Sequence, residues 1–321
     1  ILSRQALRQL PTAVGSLHVL QVLDASDNLL ESLPEAMGTG CACLRELLLA
    51  QNGLRSLPQW VASLPQLLVL NLQANRLASL PEAVTRCPKL KHLRWGLQRL
   101  EEGGSSSSSS CAPAACAPGA APIHAGVEGA AAAACGLFSS EALSVLELEG
   151  NDQPSLGGEL RSTSLTALLA SFNRLQHCPA GLHRYGATLK RLHLGGNAIA
   201  SLEGHLAPLT SLVGLMIEGN LLQHLPEELG LLRDLRELSV YGNRLKALPD
   251  AIGGCVSLSK LEANHNELET LPQSMTRLAK LKSLYVQSNR LGGSFAALRE
   301  ALLRHLPLLN IGLGANSLDL D

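Results

Sequence analysis

At 321 residues the chain exceeds what one hydrophobic core usually organises, so several domains or a linear array of small units is expected. Hydrophobic residues make up 46% but aromatics only 2%, which leaves aliphatic side chains to build the interior. A formal net charge of −1 without a Lys/Arg stripe offers no counterion release on nucleic acid, and no apolar run reaches the roughly 18 residues of a membrane span.

Residues 1–11 already read as the second half of a repeat, with Leu2, Gln5, Leu7, Leu10 and Pro11 in its slots. Full repeats begin at Leu20, Leu44, Leu67 and Leu90, then, after a break, at Leu143, Leu165, Leu189, Leu212, Leu235, Leu258, Leu281 and Leu308. The unit is clearest at 212–226, LVGLMIEGNLLQHLP, which returns as LRELSVYGNRLKALP at 235–249 and LSKLEANHNELETLP at 258–272, with starts 23 residues apart. The shared pattern is L-x-x-L-x-L-x-x-N-x-L-x-x-L-P. Self-similarity at a period of about 20–29 residues with this spacing predicts a leucine-rich repeat solenoid. The first and last repeats are both cut part-way, so the chain is expected to be a piece of a longer protein, since solenoid ends need caps.

The expected fold class is α/β: a horseshoe of about 12 repeats with a parallel concave β-sheet and short helical or irregular convex segments. In the L-x-L segment, alternation sends leucines inward and the intervening residues outward. The recurrent Asn both donates and accepts, so a buried row of them can satisfy backbone groups where the chain turns. Pro after the last Leu ends the extended stretch, and x-x-x-L-x-x-L beyond it, as at Leu229 and Leu232, reads as one or two helical turns. Three segments follow: repeats over 1–100, a Ser/Ala/Gly-rich insertion over 101–142, and repeats over 143–321. The insertion is too poor in large apolar groups to offset its ordering entropy. The repeats beside it are degraded, with Gln98 in an Asn slot and Trp95 and Gln153 in Leu slots, so the solenoid is expected to be weakest there.

No phosphate loop, nucleophile elbow, H-E-x-x-H or dinucleotide fingerprint occurs, so no catalysis and no cofactor are expected. Cys111, Cys116, His124 and Cys135 in the insertion lack the tight pairs on ordered turns that structural zinc requires, so no metal is expected. Cys87, Cys178 and Cys255 sit in apolar slots, and Cys41-x-Cys43 reads as helix packing. Cysteines used as small hydrophobes suit a reducing compartment, hence the cytoplasm.

Function then becomes a question about the concave face, where the second, third, fifth, seventh and eighth positions of each repeat point to solvent. Its C-terminal half carries larger side chains than a solvated sheet needs: His193, Met216, Glu262 and Tyr285 at fifth positions, Glu218 and Tyr241 at seventh, and Phe172 and His265 at eighth, with Arg191 among the flanking charges. Aromatic anchors ringed by polar groups are typical of protein-binding hot spots. An acidic group nearer the N-terminus, Asp24, Ser26, Asp27 and Glu46, reads as a solvated face.

Leu33-Pro34-Glu35, Leu80-Pro81-Glu82 and Leu225-Pro226-Glu227, with Leu248-Pro249-Asp250 as a variant, resemble the Ras-group class of intracellular leucine-rich repeat proteins. That class includes Ras-binding scaffolds and plant intracellular Ras-group proteins. The resemblance implies a scaffold or adaptor holding a small GTPase or other signalling protein on its concave face. Two alternatives are the recognition arm of a multidomain phosphatase, kinase or Roco-type GTPase, and a structural component of a ciliary or cytoskeletal assembly. The insertion also resembles those of proteins from GC-rich algal genomes, whose repeat proteins are often placed in the cilium axoneme.

Overall fold

In a computed structural model of the chain the described residues are 1–78, 81–98, 142–151, 153–156, 162–292, 294–305, 310–314 and 316. Each repeat contributes one three-residue strand, always its third to fifth positions. The strands are β1 Val22–Asp24, β2 Glu46–Leu48, β3 Val69–Asn71, β4 His92–Arg94, β5 Val145–Glu147, β6 Ala167–Leu169, β7 Arg191–His193, β8 Gly214–Met216, β9 Glu237–Ser239, β10 Lys260–Glu262, β11 Ser283–Tyr285 and β12 Asn310–Gly312. Twelve strands among the described residues match the twelve repeats read from the sequence. Residues 1–90 with 94–98 form one compact region, and residues 91–93 with those from 142 onward form a second. In the first region β1, β2 and β3 pair in parallel. In the second, β5 through β12 pair in parallel and in sequence order.

Burial follows the alternation. The middle residues of β1 to β11, from Leu23 to Leu284, are at most 4% exposed. The next inward position is equally dry, whether Leu49, Trp95, Ile217 or Ala263 fills it. Each such side chain contributes roughly 1.5–3 kcal/mol of transfer free energy, taken up repeat by repeat rather than in one centre.

The asparagines tie one repeat to the next. Asn266 Nδ2 donates to Ala263 O in its own repeat at 3.1 Å and to Val240 O in the preceding one at 3.0 Å, while its Oδ1 accepts from Leu245 N at 3.1 Å. The same three bonds recur at Asn52, Asn75, Asn173, Asn220, Asn243 and Asn289. Gln98, expected to weaken its repeat, performs the task instead: Nε2 donates to Leu72 O at 2.8 Å and Oε1 accepts from Leu77 N at 3.1 Å. Trp95 is only 4% exposed in its Leu slot. Both bonds to the preceding repeat are therefore kept at the Gln98 slot. Gln153 is different: it is buried and its Oε1 has no hydrogen-bond partner. The insertion expected over 101–142 lies outside the described residues apart from Ala142, as do Cys111, Cys116, His124 and Cys135.

Proline marks the start of most convex turns. Pro11, Pro58, Pro226, Pro249 and Pro272 hold extended ψ values between 138° and 154° and each immediately precedes a short 3-10 segment. Among the described residues the α-helices are α1 Ala36–Gly40, α2 Glu82–Thr85 and α3 Ser294–His305. α3 was not anticipated. From Leu281 to Leu308 the repeat runs 27 residues rather than 23, and the extra length admits a full helix that buries Phe295, Leu298 and Leu302 along one stripe. Cys41, Cys87, Cys178 and Cys255 are buried, while Cys43 is exposed, so only the first cysteine of the Cys41-x-Cys43 pair packs inward. Burial pushes the thiols of Cys178 and Cys255 up to about 12 and that of Cys87 to about 11.

Removing the Asn266 amide leaves the buried Leu245 N without an acceptor, while Val240 O and Ala263 O keep the amides of Asn243 and Asn289, so Asn266→Ala is expected to cost on the order of 1–3 kcal/mol, read as a lowered urea midpoint. Because Gln98 makes the bonds to the preceding repeat elsewhere, Asn266→Gln should recover part of that loss. A Gln variant no more stable than the Ala variant contradicts the account.

Candidate protein-binding face

Strand register turns the open face of the second region's sheet into lanes. Fifth positions stand side by side as Glu147, Leu169, His193, Met216, Ser239, Glu262, Tyr285 and Gly312, one per strand. Neighbours in a lane lie about 4.8 Å apart by strand spacing. Third positions form a second lane that includes Arg191, Glu237 and Lys260. Of the nine residues expected to form the site, His193, Met216, Glu262 and Tyr285 share the fifth-position lane and are half-buried. Glu218 and Tyr241 stand at adjacent seventh positions, Glu218 half-buried and Tyr241 43% exposed. Arg191 is exposed in the third-position lane. Phe172 and His265 are exposed, but the fold does not bring them together, since Gly196, Gly219 and Gly242 occupy the eighth positions between them.

The eighth position has a backbone requirement that the sequence did not announce. It is left-handed in each described repeat, with φ of 52° to 57° at Asp27, Gln51, Ala74, Leu97, Phe172, His265 and Ser288, and 61° to 67° at Gly150, Gly196, Gly219 and Gly242. Glycine or a short polar residue suits this geometry, and a bulky side chain there is strained by roughly 1 kcal/mol. Phe172 accepts that strain while remaining 63% exposed. Its ring lies along Gly196, where a Cβ would come within 2.7 Å of Phe172 Cδ1, and a Cβ on Gly195 would run into the Glu218 carboxylate.

Charge is sorted across the strands. Among the described residues of β5–β12 and the turns after them, fifth, seventh and eighth positions hold Glu147, Glu149, Glu218 and Glu262 and no Lys or Arg. Second and third positions hold Lys190, Arg191, Arg236, Lys260 and Lys282 against the single carboxylate of Glu237. Lys260 Nζ reaches across to Glu262 Oε1 at 2.7 Å, and that bond raises the ammonium pKa against the opposing effect of burial. Burial raises the Glu218 carboxyl, as does Glu262, while its own backbone and the Ser239 hydroxyl pull it down. Burial also raises Glu149, reinforced by Glu147 and Glu218. His193 is held below the ordinary imidazole range, first by burial and then by Arg191, with Glu237 opposing. Glu147 and Glu149 were missed in the sequence because their repeat looked degraded; their slots, fifth and seventh, were the available signal.

A mixed-charge cleft of about 390 Å³ lies in the first region, lined by Arg8, Asp27, Glu31, Gln51 and Arg76 among others. In the acidic group there, Asp27 pairs with Arg4 at 3.2 Å and Asp24 accepts from Ser26 N. Among the described residues no group of three or more His, Cys, Asp or Glu is placed to hold a metal, and no helix is long and apolar enough to cross a membrane.

With this geometry in view, the comparisons agree on class. A family model described as leucine rich repeat matches residues 233–291. No curated protein matches the sequence. Among solved structures, a leucine-rich repeat protein of Leptospira interrogans is 25% identical with a TM-score of 0.58, over 95% of this chain and 81% of that one. An internalin from Listeria monocytogenes is 17% identical with a TM-score of 0.70, over 93% of this chain and 75% of that one. The leucine-rich repeat ectodomain of a plant membrane receptor kinase from Arabidopsis thaliana, solved in complex with Casparian strip integrity factor 2, is 22% identical with a TM-score of 0.54. This chain is covered to 97% in that alignment and spans 40% of the receptor chain. The repeat, the parallel strand ladder and these neighbours show a leucine-rich repeat solenoid fold.

Two measurements probe the strain and charge on the face. Phe172→Gly is expected to hold or raise stability, by up to about 1 kcal/mol, because the backbone strain outweighs what an exposed ring gains. A clear fall in the thermal midpoint would show that the ring packs more than its exposure suggests. The raised carboxyls favour the protonated fold, so their stabilisation is complete below 4.5 and is lost as pH rises through the folded-state values. Glu149→Gln/Glu218→Gln should therefore melt higher than wild type at neutral pH, with the gap closing below pH 4.5.

Proposed function

We propose that the chain is a non-catalytic scaffold or adaptor that holds a protein partner on the open face of its second region. The observation that carries this reading is the set of large side chains displayed there without a core to fill: Phe172 at 63% and Tyr241 at 43% exposure, beside half-buried Met216 and Tyr285. Aromatic and methionine side chains are enriched at interface centres, and a solvated sheet has no need of them. His193, Arg191, Glu218, Glu262 and His265 would form the polar surround. The Arabidopsis receptor ectodomain in complex with an integrity factor supports the reading by analogy of fold alone. The Leu-Pro-Glu junctions favour the intracellular Ras-group class, and with it a small GTPase or another signalling protein as the partner and the cytoplasm as the setting. The buried free thiols fit that setting.

Affinity capture from cell extract, comparing wild type with Tyr241→Ala/Tyr285→Ala at matched melting temperature, tests the proposal. The specific partners of wild type are expected to bind the double variant at least ~10-fold more weakly, as loss of hot-spot aromatics does. Undiminished binding would place the interface elsewhere on the chain.

A further inference from the structure

Within that face, and resting on the reading just given, one end is built differently from the other. At the β10 end the carboxylate of Glu262 already has its cation in Lys260. At the β5–β8 end Glu149 and Glu218 have none: among the described residues no Lys, Arg or His nitrogen lies within ion-pair distance of either carboxylate. Glu218 Oε2 is shielded from water and accepts no hydrogen bond, an unmet demand that native structures seldom leave without a reason. In repeat order Phe172 falls between these two acids, its ring exposed and laid along Gly196, and the neighbouring Gly195 leaves room for the Glu218 carboxylate. Any side chain at either glycine would fill this space.

We infer that Glu149, Phe172 and Glu218, over the floor of Gly195 and Gly196, form a subsite for an arginine side chain of an extended partner segment. The complementarity is one of charge and shape. The fifth, seventh and eighth positions here carry carboxylates and no Lys or Arg, so a cationic segment meets no like charge along them. A guanidinium is planar, stacks on an aromatic face, and presents its donors to a carboxylate in pairs. An ammonium could satisfy the charge but neither the stacking nor the paired donors. Burial first, then Glu147 and Glu218, raise the pKa of Glu149, and a cation held beside these carboxylates relieves the part due to repulsion. The basic second and third positions would in turn face acidic or neutral residues of the same partner, so the segment has a preferred direction across the strands.

The test starts from selection of short random peptides displayed on phage against the whole chain. Peptides whose binding falls on Tyr241→Ala/Tyr285→Ala are then synthesised with each Arg intact, replaced by Lys, or replaced by citrulline, its neutral isostere. Affinities are read by fluorescence anisotropy at near-physiological salt of ~150 mM. The expected result is that the face-binding peptides share an Arg, that citrulline weakens them about 10-fold or more, and that Lys falls between. Glu149→Gln/Glu218→Gln should remove that same factor while leaving the citrulline peptides unaffected, and Phe172→Gly should remove the advantage of Arg over Lys. Face-binding peptides without charge preference, or an Arg preference that survives in the Gln variant, overturn the subsite while the face reading stands. Peptides that all ignore Tyr241 and Tyr285 overturn the face reading itself, and the subsite with it.

Discussion

A buried carboxamide bonded to backbone on both sides is the interaction on which the rest depends. Strands of three residues cannot hold a sheet by themselves, and each repeat alone buries too little to fold. The asparagine closes the turn after its own strand and at the same time exchanges hydrogen bonds with the repeat before it: Asn243 donates to Val240 O and Ile217 O and accepts from Leu222 N. Its two bonding senses, donor and acceptor on one short planar group, make the coupling directional. Register between neighbours follows, and with register come the lanes of side chains on the open face.

The same turn fixes what the face can display. Its left-handed eighth residue leaves the seventh side chain standing on the sheet and the eighth at its margin. Where glycine occupies the eighth position at 196 the Phe172 ring lies across it, and Glu218 lies against Gly195 at the seventh position beside it. Strain at Phe172 and the unmet acceptor Oε2 of Glu218 are departures from what stability alone favours.

Most of the fold was legible in the sequence because the period is written in leucine, asparagine and proline, whose roles are local and repeat unchanged. The strands, the inward leucines, the amide ladder and the proline-initiated turns all follow from slot identity. What escaped came from competition between slots. Gln98 looked like a defect, yet one more methylene still lets its amide reach Leu72 O and Leu77 N. α3 appeared because a longer repeat changes how the convex segment coils, which a count of leucines does not reveal. On the candidate face, sequence placed each side chain in its lane, but exposure and sorting of charge needed coordinates: Tyr241 is open whereas Ser239, two residues earlier on the same face, is only 3% exposed. Glu149 was overlooked because its repeat, with Gln153 in a Leu slot, departs from the consensus.

The lanes carry a metric consequence for anything that lies across them. An extended chain advances about 3.3 Å per residue, while the strands recur about every 4.8 Å, so three residues of a crossing segment cover two strands. Its contacts therefore fall in phase on alternate strands. One phase meets Glu147, His193, Ser239 and Tyr285; the other meets Leu169, Met216, Glu262 and Gly312. A slip of one strand exchanges a polar, titratable series for a more apolar one. The sheet thus acts as a ruler with two scales engraved on one edge.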